Sequence, residues 1–464
     1  MVDELGDWAL GPDPLFRQVA RGLSRAIERG SLAPGERLPA ERTLATALSI
    51  SRGTAVAAYD LLVADGLVER VHGSGTFVIG AGSLGLPRGR EGSALVARLV
   101  DRSATTSTVL DLSISVLRRP TGLPDVAVST ADLAGIEPDT GYSPWGLPGL
   151  RQAVAGLVTG WGLPTTSDEI VITTGAQQAI SAAAACWVRP GDAVIVEAPT
   201  YPGAVSAFVA AGARLVAVPV DRHGVRPDDL EAALAEHPVL AYLQPTLHSP
   251  TGCVLAANRR QRIAELLTAA RVPLVEDHAL AGLLWGDPPP PPIAAHAAEH
   301  PVAVVGSLSK LFWGGLRVGF VRAPAPVALR VARVKATQDL GSSAISQLVA
   351  QRLLEHPDTT AFVATRNADL RQRYEALAGL LDRHLPSWRW VEPAGGLSVW
   401  VQLPEPVAEP FAQAALRDGV AVATAEALSP SGVHLDRLRL SFAGPIDELE
   451  GALVRLAATW RSFG

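Results

Sequence analysis

The first 80 residues place apolar side chains first at helical and then at strand spacing. Apolar residues recur every four positions between residues 15 and 27, which predicts an amphipathic helix that ends at a glycine. A second helix is predicted over residues 40–48, and Ser51 can cap a third helix that runs to Gly66. Two β-prone segments then flank a Gly-Ser-Gly tip, which predicts a hairpin. Together these elements predict a winged helix-turn-helix, whose third helix fits the major groove of DNA.

Residues 111–464 repeat a different pattern, in which short runs of Val, Ile and Leu alternate with helical segments. The runs are EIVITT, DAVIVEAP, ARLVAVPV, VLAYLQP, VPLVED, VAVVGSLS and RVGFVRAP. Apolar runs of this length with helices between them predict an α/β fold, in which helices cover both faces of a mostly parallel sheet. A helix-rich tail from about residue 330 contains GGLSVWVQLP and DRLRLSFAG, which predict the strands of a smaller α/β domain.

Residues 81–110 separate the two patterned regions and are dominated by Gly, Ser, Thr and Arg, which predicts a flexible linker. A flexible coil of about 30 residues averages about 30 Å end to end. The sequence therefore predicts a winged helix domain at residues 1–80 that is tethered to the α/β domain at residues 111–464 rather than fused with it.

Composition and charge narrow the class of protein. With 464 residues, of which 48% are hydrophobic and 19% charged, the chain is typical of two or three ordered globular domains. A formal net charge of −6 provides no overall basic field toward nucleic acid or membranes. The first ten residues lack the features of a signal peptide, and the apolar stretches are interrupted before they reach membrane-spanning length. Cys186 and Cys253 form neither a disulfide framework nor a metal site, so we expect a cytoplasmic protein without a bound metal.

The unusual residues of the α/β region collect where its predicted strands end, which is where such sheets bind ligands. Lys310 is one of only two lysines in a chain with 40 Lys and Arg residues. The residues gathered with it are Ala176 and Gln177 at a helix N-terminus, Tyr201, Asp277, Ser307, Ser309 and Arg317. They predict an anion-binding cup beside a carboxylate, an aromatic ring and a lysine. Lysine, unlike arginine, can lose its proton and condense with an aldehyde.

The N-terminal 80 residues contain the runs G-x-L-x-P-G-x-x-L-P-x-E-R-x-L-A, S-R-G-T and G-L-V-x-R-x-x-G-x-G-T-F-V. These motifs resemble those of the GntR family of bacterial regulators. The resemblance assigns DNA contacts to Arg42, Ser51, Arg52, Thr54, His72 and Gly73, with Arg37 as a further candidate. The alternative is that these arginines are ordinary solvated charges, because residues 1–80 contain eight Arg against ten Asp and Glu. DNA binding, however, requires a basic face rather than a basic total.

The C-terminal motifs resemble those of fold-type I aminotransferases, which use pyridoxal 5′-phosphate (PLP), and the whole chain resembles MocR-type regulators of the GntR superfamily. The motifs include Y-S-P-W-G-L-P-G-L-R, T-T-G-A-Q-Q-A, S-P-T-G, S-L-S-K…G-G-L-R-V-G and R-L-S-F. The resemblance implies that Lys310 forms a Schiff base with PLP, that Asp277 pairs with the pyridine nitrogen and that Tyr201 stacks on the ring. It also implies a phosphate site made by Ala176, Gln177, Ser307, Ser309 and Arg317. Tyr142 resembles a residue that reaches the neighbouring subunit's phosphate, which implies a homodimer, and Arg439 resembles the arginine that binds an amino acid's α-carboxylate.

Two positions depart from the aminotransferase pattern. Ser249 stands where aminotransferases place an Asn, and Ala279 stands near the position of a Tyr that contacts the ring oxygen O3′. His248 and His278 are the candidates to replace these contacts. PLP binding is compatible with both changes, whereas transamination loses two hydrogen bonds to O3′.

Three functions remain open on the sequence alone. The first is a transcriptional regulator that senses PLP, or an amine or amino acid, through Schiff-base exchange at Lys310. The second is a working PLP aminotransferase with a vestigial DNA-binding domain, and the third is a direct PLP sensor. A dimer with one winged helix per chain predicts an operator with two half-sites in double-stranded DNA.

Overall fold

The computed structural model describes residues 5, 8–9, 13–29, 31–33, 35–71, 75–79, 109–137, 140–286, 288–297, 300–429 and 434–463. The predicted linker lies outside the described residues except for its last two positions, and so do His72 and Gly73 at the predicted wing tip. No helix within the described ranges is both long enough and apolar enough to cross a bilayer.

The N-terminal unit contains three helices and a hairpin, as the sequence predicted. Its elements are α1 (Leu15–Glu28), α2 (Glu41–Ala47), α3 (Arg52–Ala64), β1 (Val68–Val71) and β2 (Gly75–Val78). The hydroxyl of Ser51 accepts a hydrogen bond from the backbone N–H of Thr54 at 3.0 Å, so the predicted cap of α3 is confirmed. The two strands pair antiparallel, with Val68 opposite Val78.

One hydrophobic core holds this unit together. Val19 and Leu23 of α1 pack with Tyr59 of α3, and all three side chains are fully buried. Leu5 and Trp8, which precede α1, are buried in the same core. Burial of a valine or leucine side chain stabilises a fold by about 1.5–3 kcal/mol. The inward face of α1 therefore contains Val19 and Leu23 of the four-residue pattern, whereas Leu15, at the start of the helix, is 41% exposed.

The remaining elements alternate strand and helix along the chain. In order they are β3 (Leu110–Asp111), α4 (Thr130–Ala134), α5 (Pro148–Gly160), β4 (Ile170–Thr173), α6 (Ala176–Trp187), β5 (Ala193–Ala198), α7 (Pro202–Ala210), β6 (Arg214–Asp221), β7 (Gly224–Val225), α8 (Pro227–Leu234), β8 (Leu240–Leu243), α9 (Ala257–Ala270), β9 (Leu274–Asp277), β10 (Val302–Ser307), α10 (Leu308–Leu311), β11 (Gly319–Arg322), α11 (Ala325–Asp339), α12 (Ala344–Glu355), α13 (Thr359–His384), β12 (Arg389–Trp390), β13 (Ser398–Gln402), α14 (Ala408–Arg417), β14 (Val420–Ala421), β15 (Ala423–Thr424), β16 (Arg437–Ser441) and α15 (Ile446–Phe463). Each apolar run quoted in the sequence analysis contains a strand.

Eight of these strands form one large sheet in the order β4-β11-β10-β9-β8-β5-β6-β7. The pairings are parallel except where β11 and β7 take part. The predicted mostly parallel sheet is therefore confirmed. Because the parallel strands run the same way, their carboxyl ends meet at one edge, and the residues that follow them are brought together there.

Successive residues on β4 and β5 bury opposite faces of the large sheet. Ile170 and Ile172 of β4 pack into the core on one face, which α5, α9 and α12 cover, whereas Val171 packs into the core on the other. In β5, Ile195 and Val194 divide between the same two cores. The second face is covered by α6, α7 and α11. Continuous apolar runs are needed because both faces are buried.

A second sheet, in the order β12-β13-β16-β15, is antiparallel and has its own core. The sequence placed the start of this smaller region near residue 330. In the structure α11 and α12 bury Ala328 and Ala350 against the large sheet, and the second core takes up the chain from Leu370 onward. The start of the α/β region also belongs to the second core, because β3 pairs in parallel with β14 and Leu112 packs there.

The N-terminal unit contacts helix α14 of the second core. The hydrogen bonds run from Trp8 Nε1 to Gln413 Oε1 (2.9 Å), from Ser49 Oγ to the carbonyl of Pro410 (3.0 Å) and from the guanidinium of Arg417 to the carbonyl of Leu48. Ser49 has a φ of 50° and forms the turn between α2 and α3. The sequence did not predict this contact, since its residues are more than 360 positions apart in the chain.

Candidate functional site

A cavity opens at the carboxyl ends of the parallel strands, where the large sheet meets the second core. The predicted site residues that line it are Ala176, Gln177, Tyr201, Asp277, Ser307, Ser309, Lys310, Arg317 and Arg439. Tyr142 lies away from this lining on the surface and is 63% exposed. The fold therefore gathers residues from five separate stretches of sequence around one space.

Lys310 lies in α10, directly after β10. Its backbone N–H donates to the hydroxyl of Ser307 at 3.2 Å, which caps this short helix, and its Nζ donates to the carbonyl of Ser115 at 2.8 Å. Burial and the nearby charge of Arg439 lower the pKa of Lys310 from the usual 10.5 to about 8, against the opposing effect of Asp277. The amine is therefore far easier to deprotonate than an exposed lysine, as a nucleophilic amine must be.

Asp277 is the last residue of β9 and is held by two donors. The hydroxyl of Tyr242, on the neighbouring strand β8, donates to Oδ2 at 2.6 Å, and the backbone N–H of Ala279 donates to Oδ1 at 2.8 Å. Burial raises the pKa of Asp277, while these two hydrogen bonds, His278 and Lys310 act in the opposite direction. The carboxylate is thus fixed in direction and stands ready to pair with a cationic group.

Tyr242 is a site residue that the sequence analysis missed. The signal was present in the run VLAYLQP, because a tyrosine in a fully buried strand needs a partner for its hydroxyl. Tyr201, which was predicted, precedes α7 and lines the cavity. A side chain in place of Gly203 would lie 2.5 Å from the Tyr201 ring, so glycine is required for this ring to lie where it does.

The predicted anion cup forms around the N-terminus of α6. Gly175 has a φ of 82° and turns the chain so that the N–H groups of Ala176 and Gln177 begin the helix. The Arg317 guanidinium donates to the carbonyl of Thr174 at 3.0 Å.

Close approach of the backbone and one serine define the rest of the cup. A Cβ on Gly319 would lie 2.6 Å from the carbonyl carbon of Gly175. Strand β11 can therefore come this close to the cup only with glycine at position 319. Ser309 differs from its predicted role in one respect. Its hydroxyl donates to the carbonyl of Val318 at 3.2 Å and accepts from the Val318 N–H, so an anion would compete with the backbone for it.

Arg439 reaches the cavity from β16 of the second sheet. It is 4% exposed, and burial lowers its pKa to about 10. One terminal nitrogen donates to the carbonyl of Ser113, while its Nε is buried without a hydrogen-bond partner among the described residues. A buried guanidinium with an unused donor in a cavity wall is suited to an acidic ligand group.

The residues that replace the aminotransferase pattern also line the cavity. Ser249 and Ala279 are both in its wall, together with His248. His248 Nδ1 is 2.8 Å from the hydroxyl of Thr251, and burial lowers the pKa of His248 to about 3, so its ring is neutral. Of the two histidines considered as replacements, only His248 therefore faces the cavity.

His278 is directed away from the cavity. Its Nε2 lies 2.9 Å from Glu276 Oε1, and its ring stacks on Trp161 with centroids 5.4 Å apart. The alternation of side chains along a strand explains this outcome, since residues on either side of Asp277 point to the opposite face of the sheet.

The predicted DNA contacts that the structure describes lie on the surface of the N-terminal unit. Arg42, Ser51 and Arg52 are exposed, and Thr54 is half-buried. Within the described part of the chain, neither Arg42 nor Arg52 takes part in an ion pair, so their charges are available to phosphates or bases. Arg37 is exposed beside the wing, where a Cβ on Gly75 would lie 2.7 Å from its Nε.

Two family descriptions match the chain in succession. Residues 15–78 match the gntR family of bacterial regulatory proteins. Residues 107–456 match the class I and II aminotransferases. The order of these two matches is the order of the two units in the structure.

Three individual proteins illustrate what the chain is similar to. The uncharacterized HTH-type transcriptional regulator YisV of Bacillus subtilis is 30% identical over 408 residues, which is 84% of each chain. The probable rhizopine catabolism regulatory protein MocR of Rhizobium meliloti is 26% identical over 404 residues, which is 82% of this chain and 79% of the relative. LysN, an α-aminoadipate aminotransferase of Thermus thermophilus solved with N-(5′-phosphopyridoxyl)-L-leucine, matches with a TM-score of 0.69 and 28% identity, over 76% of this chain and 92% of that chain.

Proposed function

Because the chain belongs to the class I and II aminotransferase family and carries a GntR-family DNA-binding domain, as MocR-type transcriptional regulators do, we propose that its cavity senses PLP or an amine or amino acid that reacts with PLP. The protein is a transcriptional regulator with an aminotransferase-like domain, and its cofactor is PLP. The sensing, and the role of Lys310 in it, are the proposal.

The residues of the cavity fit the cofactor group by group. PLP supplies an aldehyde that condenses with amines and a ring that withdraws electrons. Lys310 would hold the aldehyde carbon through its readily deprotonated amine, and Asp277 would hold the protonated ring nitrogen. The N–H groups of Ala176 and Gln177, the hydroxyl of Ser307 and the guanidinium of Arg317 would bind the phosphate. Tyr201 would cover one face of the ring.

The observation that carries the proposal is the buried guanidinium of Arg439 in the same cavity as Lys310. Its Nε has no hydrogen-bond partner among the described residues, and such a donor is costly to leave unused. A carboxylate satisfies a guanidinium with paired hydrogen bonds. The site therefore suits a ligand with an amine for the cofactor and an acidic group for Arg439, as an amino acid has.

A working aminotransferase with a vestigial DNA-binding domain is the second candidate. Lys310, Asp277 and Arg439 favour it, since all three line the cavity. Ser249 and Ala279 argue against it because the Asn and the Tyr that contact O3′ in aminotransferases are both absent. Sustained conversion of 2-oxoglutarate with an amine donor over many turnovers would establish the enzyme. A single turnover that then stops would favour the sensor.

We further propose a homodimer that binds two half-sites in the cytoplasm. The exposure of Tyr142 supports the dimer, because a tyrosine that serves a neighbouring subunit's phosphate must project from its own surface. Each chain contributes one winged helix, so two half-sites are expected.

Footprinting tests the function directly. Full-length protein, first freed of PLP and then loaded with it, is applied to the region upstream of its own gene at fixed salt, with and without a panel of amino acids. We expect a specific, salt-sensitive footprint of two half-sites that changes on loading or on adding one amino acid. A response to PLP alone would identify a direct PLP sensor. Absence of any sequence-specific binding at micromolar protein would contradict the regulator.

A further inference from the structure

After β3 has joined the second core, the chain continues along the wall of the cavity. We call residues 112–117 the crossing segment. It is anchored at its start, where the Leu112 N–H donates to the carbonyl of Ala421 and the Leu112 carbonyl accepts from the Ser441 N–H, both at 2.8 Å. Its later residues, from Ile114 to Leu117, line the cavity.

Two carbonyl groups of the crossing segment accept hydrogen bonds from the two cationic groups that the proposed function uses. The carbonyl of Ser113 accepts from a terminal nitrogen of Arg439, and the carbonyl of Ser115 accepts from Lys310 Nζ. The hydroxyl of Ser115 is buried without a partner among the described residues. The segment therefore gives the two cationic groups two neutral hydrogen-bond acceptors, and it supplies no negative charge to balance theirs.

A ligand carboxylate competes with Ser113 for Arg439. The nitrogen that Ser113 occupies carries one N–H on the face with Nε and one on the face between the terminal nitrogens, so the carbonyl blocks one of the two bidentate faces. A carboxylate brings a negative charge and a second hydrogen bond to the guanidinium, whereas the carbonyl of Ser113 is neutral and accepts only one. In a paired contact the carboxylate also satisfies the Nε that is now without a partner. Exchange of the carbonyl for the carboxylate is therefore favoured at this site.

We propose that the Ser113 carbonyl makes the cavity distinguish two classes of amine ligand. A ligand with an α-carboxylate displaces the carbonyl from Arg439 and releases the crossing segment, whereas an amine without a carboxylate occupies the cavity and leaves the segment bound. This inference rests on the proposed function, because it requires a PLP site in this cavity. It adds that filling the cavity is not enough to change DNA binding. Only a ligand that displaces the crossing segment alters the chain that leads to the DNA-binding unit.

A matched pair of ligands tests the inference. N-(5′-phosphopyridoxyl)-L-alanine and N-(5′-phosphopyridoxyl)ethylamine share the cofactor part and differ only in the carboxylate, and calorimetry establishes that each binds the PLP-free full-length protein. Hydrogen exchange is then followed in the peptide that spans residues 110–118. We expect exchange there to be about fivefold faster with the alanine compound than with the ethylamine compound, since Lys310 is free to donate to Ser115 in both complexes.

The outcomes separate this inference from the proposed function. If both compounds bind and change exchange equally, or neither changes it, the crossing segment does not discriminate and the inference is wrong. If neither compound binds, the PLP site itself is wrong, and the inference fails with it.

Two variants identify the contact responsible. Arg439→Met removes the guanidinium while keeping an unbranched apolar side chain, and we expect the two compounds to act alike on it. Ser113→Ala removes the hydroxyl but keeps the carbonyl, so it should still discriminate between them. Exchange in α9, none of whose residues lines the cavity, verifies that each variant is folded. Discrimination that survives in a folded Arg439→Met protein would overturn the proposal.

Discussion

At the scale of single residues, the site depends on how burial and neighbouring charges set the protonation of Lys310. A pKa of about 8 leaves about a tenth of the amine uncharged at pH 7, whereas a pKa of 10.5 leaves well under a thousandth. Only the uncharged amine condenses with an aldehyde. The shift thus raises the reactive fraction by more than a hundredfold, and it has two neighbouring contributors of opposite sign, Arg439 and Asp277.

The rate at which PLP-free protein captures PLP should rise with pH, with a midpoint near 8. Arg439→Met removes a charge that lowers the pKa of Lys310, so the midpoint should move upward. Asp277→Asn removes a charge that raises it, so the midpoint should move downward. Stopped-flow absorbance measures all three profiles. A wild-type midpoint near 10, or shifts of the same sign in the two variants, would show that these charges do not control the amine.

Borohydride treatment of PLP-loaded protein should attach the cofactor to Lys310 alone. The other lysine, Lys335, is a matched control within the chain, because its buried Nζ donates to both carboxylate oxygens of Asp339 at 2.6 Å. Lys310→Arg should behave like Lys310→Ala, since guanidinium stays protonated and cannot condense. Peptide mass spectrometry locates the adduct. A normal response of the arginine variant to PLP and to amines would refute the Schiff-base role.

Tyr242→Phe should weaken PLP binding by about 1.5–3 kcal/mol, the usual contribution of a hydrogen bond to a charged group. The change removes the donor to Asp277 and raises the pKa of that carboxyl further, so less of it is charged to pair with the ring nitrogen. Tyr59→Phe makes the same chemical change in the N-terminal unit, where the hydroxyl donates to Pro39. Spectroscopic titration of PLP should distinguish the variants, and equal affinities would exclude the role of Tyr242.

At the scale of elements, local pattern was sufficient for much of the fold. Strands β4 and β5 coincide with apolar runs because both of their faces are buried, and α3 begins after its capping serine. The local sequence pattern did not predict the contacts between stretches that are far apart in the chain. Nothing local indicates that Leu110 pairs with Val420, or that the carbonyls of Ser113 and Ser115 accept from the site's cations. Backbone carbonyls are the same in every residue, so their partners cannot be read from residue type.

Two predicted DNA contacts lie side by side at the start of α3, and Ser51 also caps that helix. Ser51→Ala removes the cap and should lower the free energy of unfolding of the N-terminal unit by about 1 kcal/mol. Arg52→Ala leaves the cap intact and should instead weaken specific DNA binding by about 1–3 kcal/mol if the guanidinium contacts a base. Thermal unfolding and operator titration at fixed salt are measured on both. An unchanged dissociation constant for Arg52→Ala would remove it from the contacts.

At the scale of the whole molecule, the N-terminal unit is in contact with α14 rather than held by the chain alone. Gln413→Ala removes the acceptor of Trp8 and leaves the indole N–H without its partner, which should loosen the contact. Hydrogen exchange in the peptides that contain Trp8 and Ser49 should then increase. Gln402→Ala is the control, because Gln402 bonds to Asp436 elsewhere in the second core. Equal exchange in the two variants would show that the contact contributes nothing in solution.

The position of that contact has a thermodynamic consequence. Helix α14 contacts the turn between α2 and α3 of the DNA-binding unit. Strand β14 (Val420–Ala421) begins three residues after α14 ends, and the carbonyl of Ala421 accepts the hydrogen bond that anchors the crossing segment at Leu112. If a ligand changes the affinity for the operator through this stretch by some factor, the operator must change the affinity for the ligand by the same factor. Calorimetric titrations of the amino acid with and without operator DNA should therefore differ by the ratio found in DNA titrations with and without the amino acid. The operator then acts as an effector of the cavity.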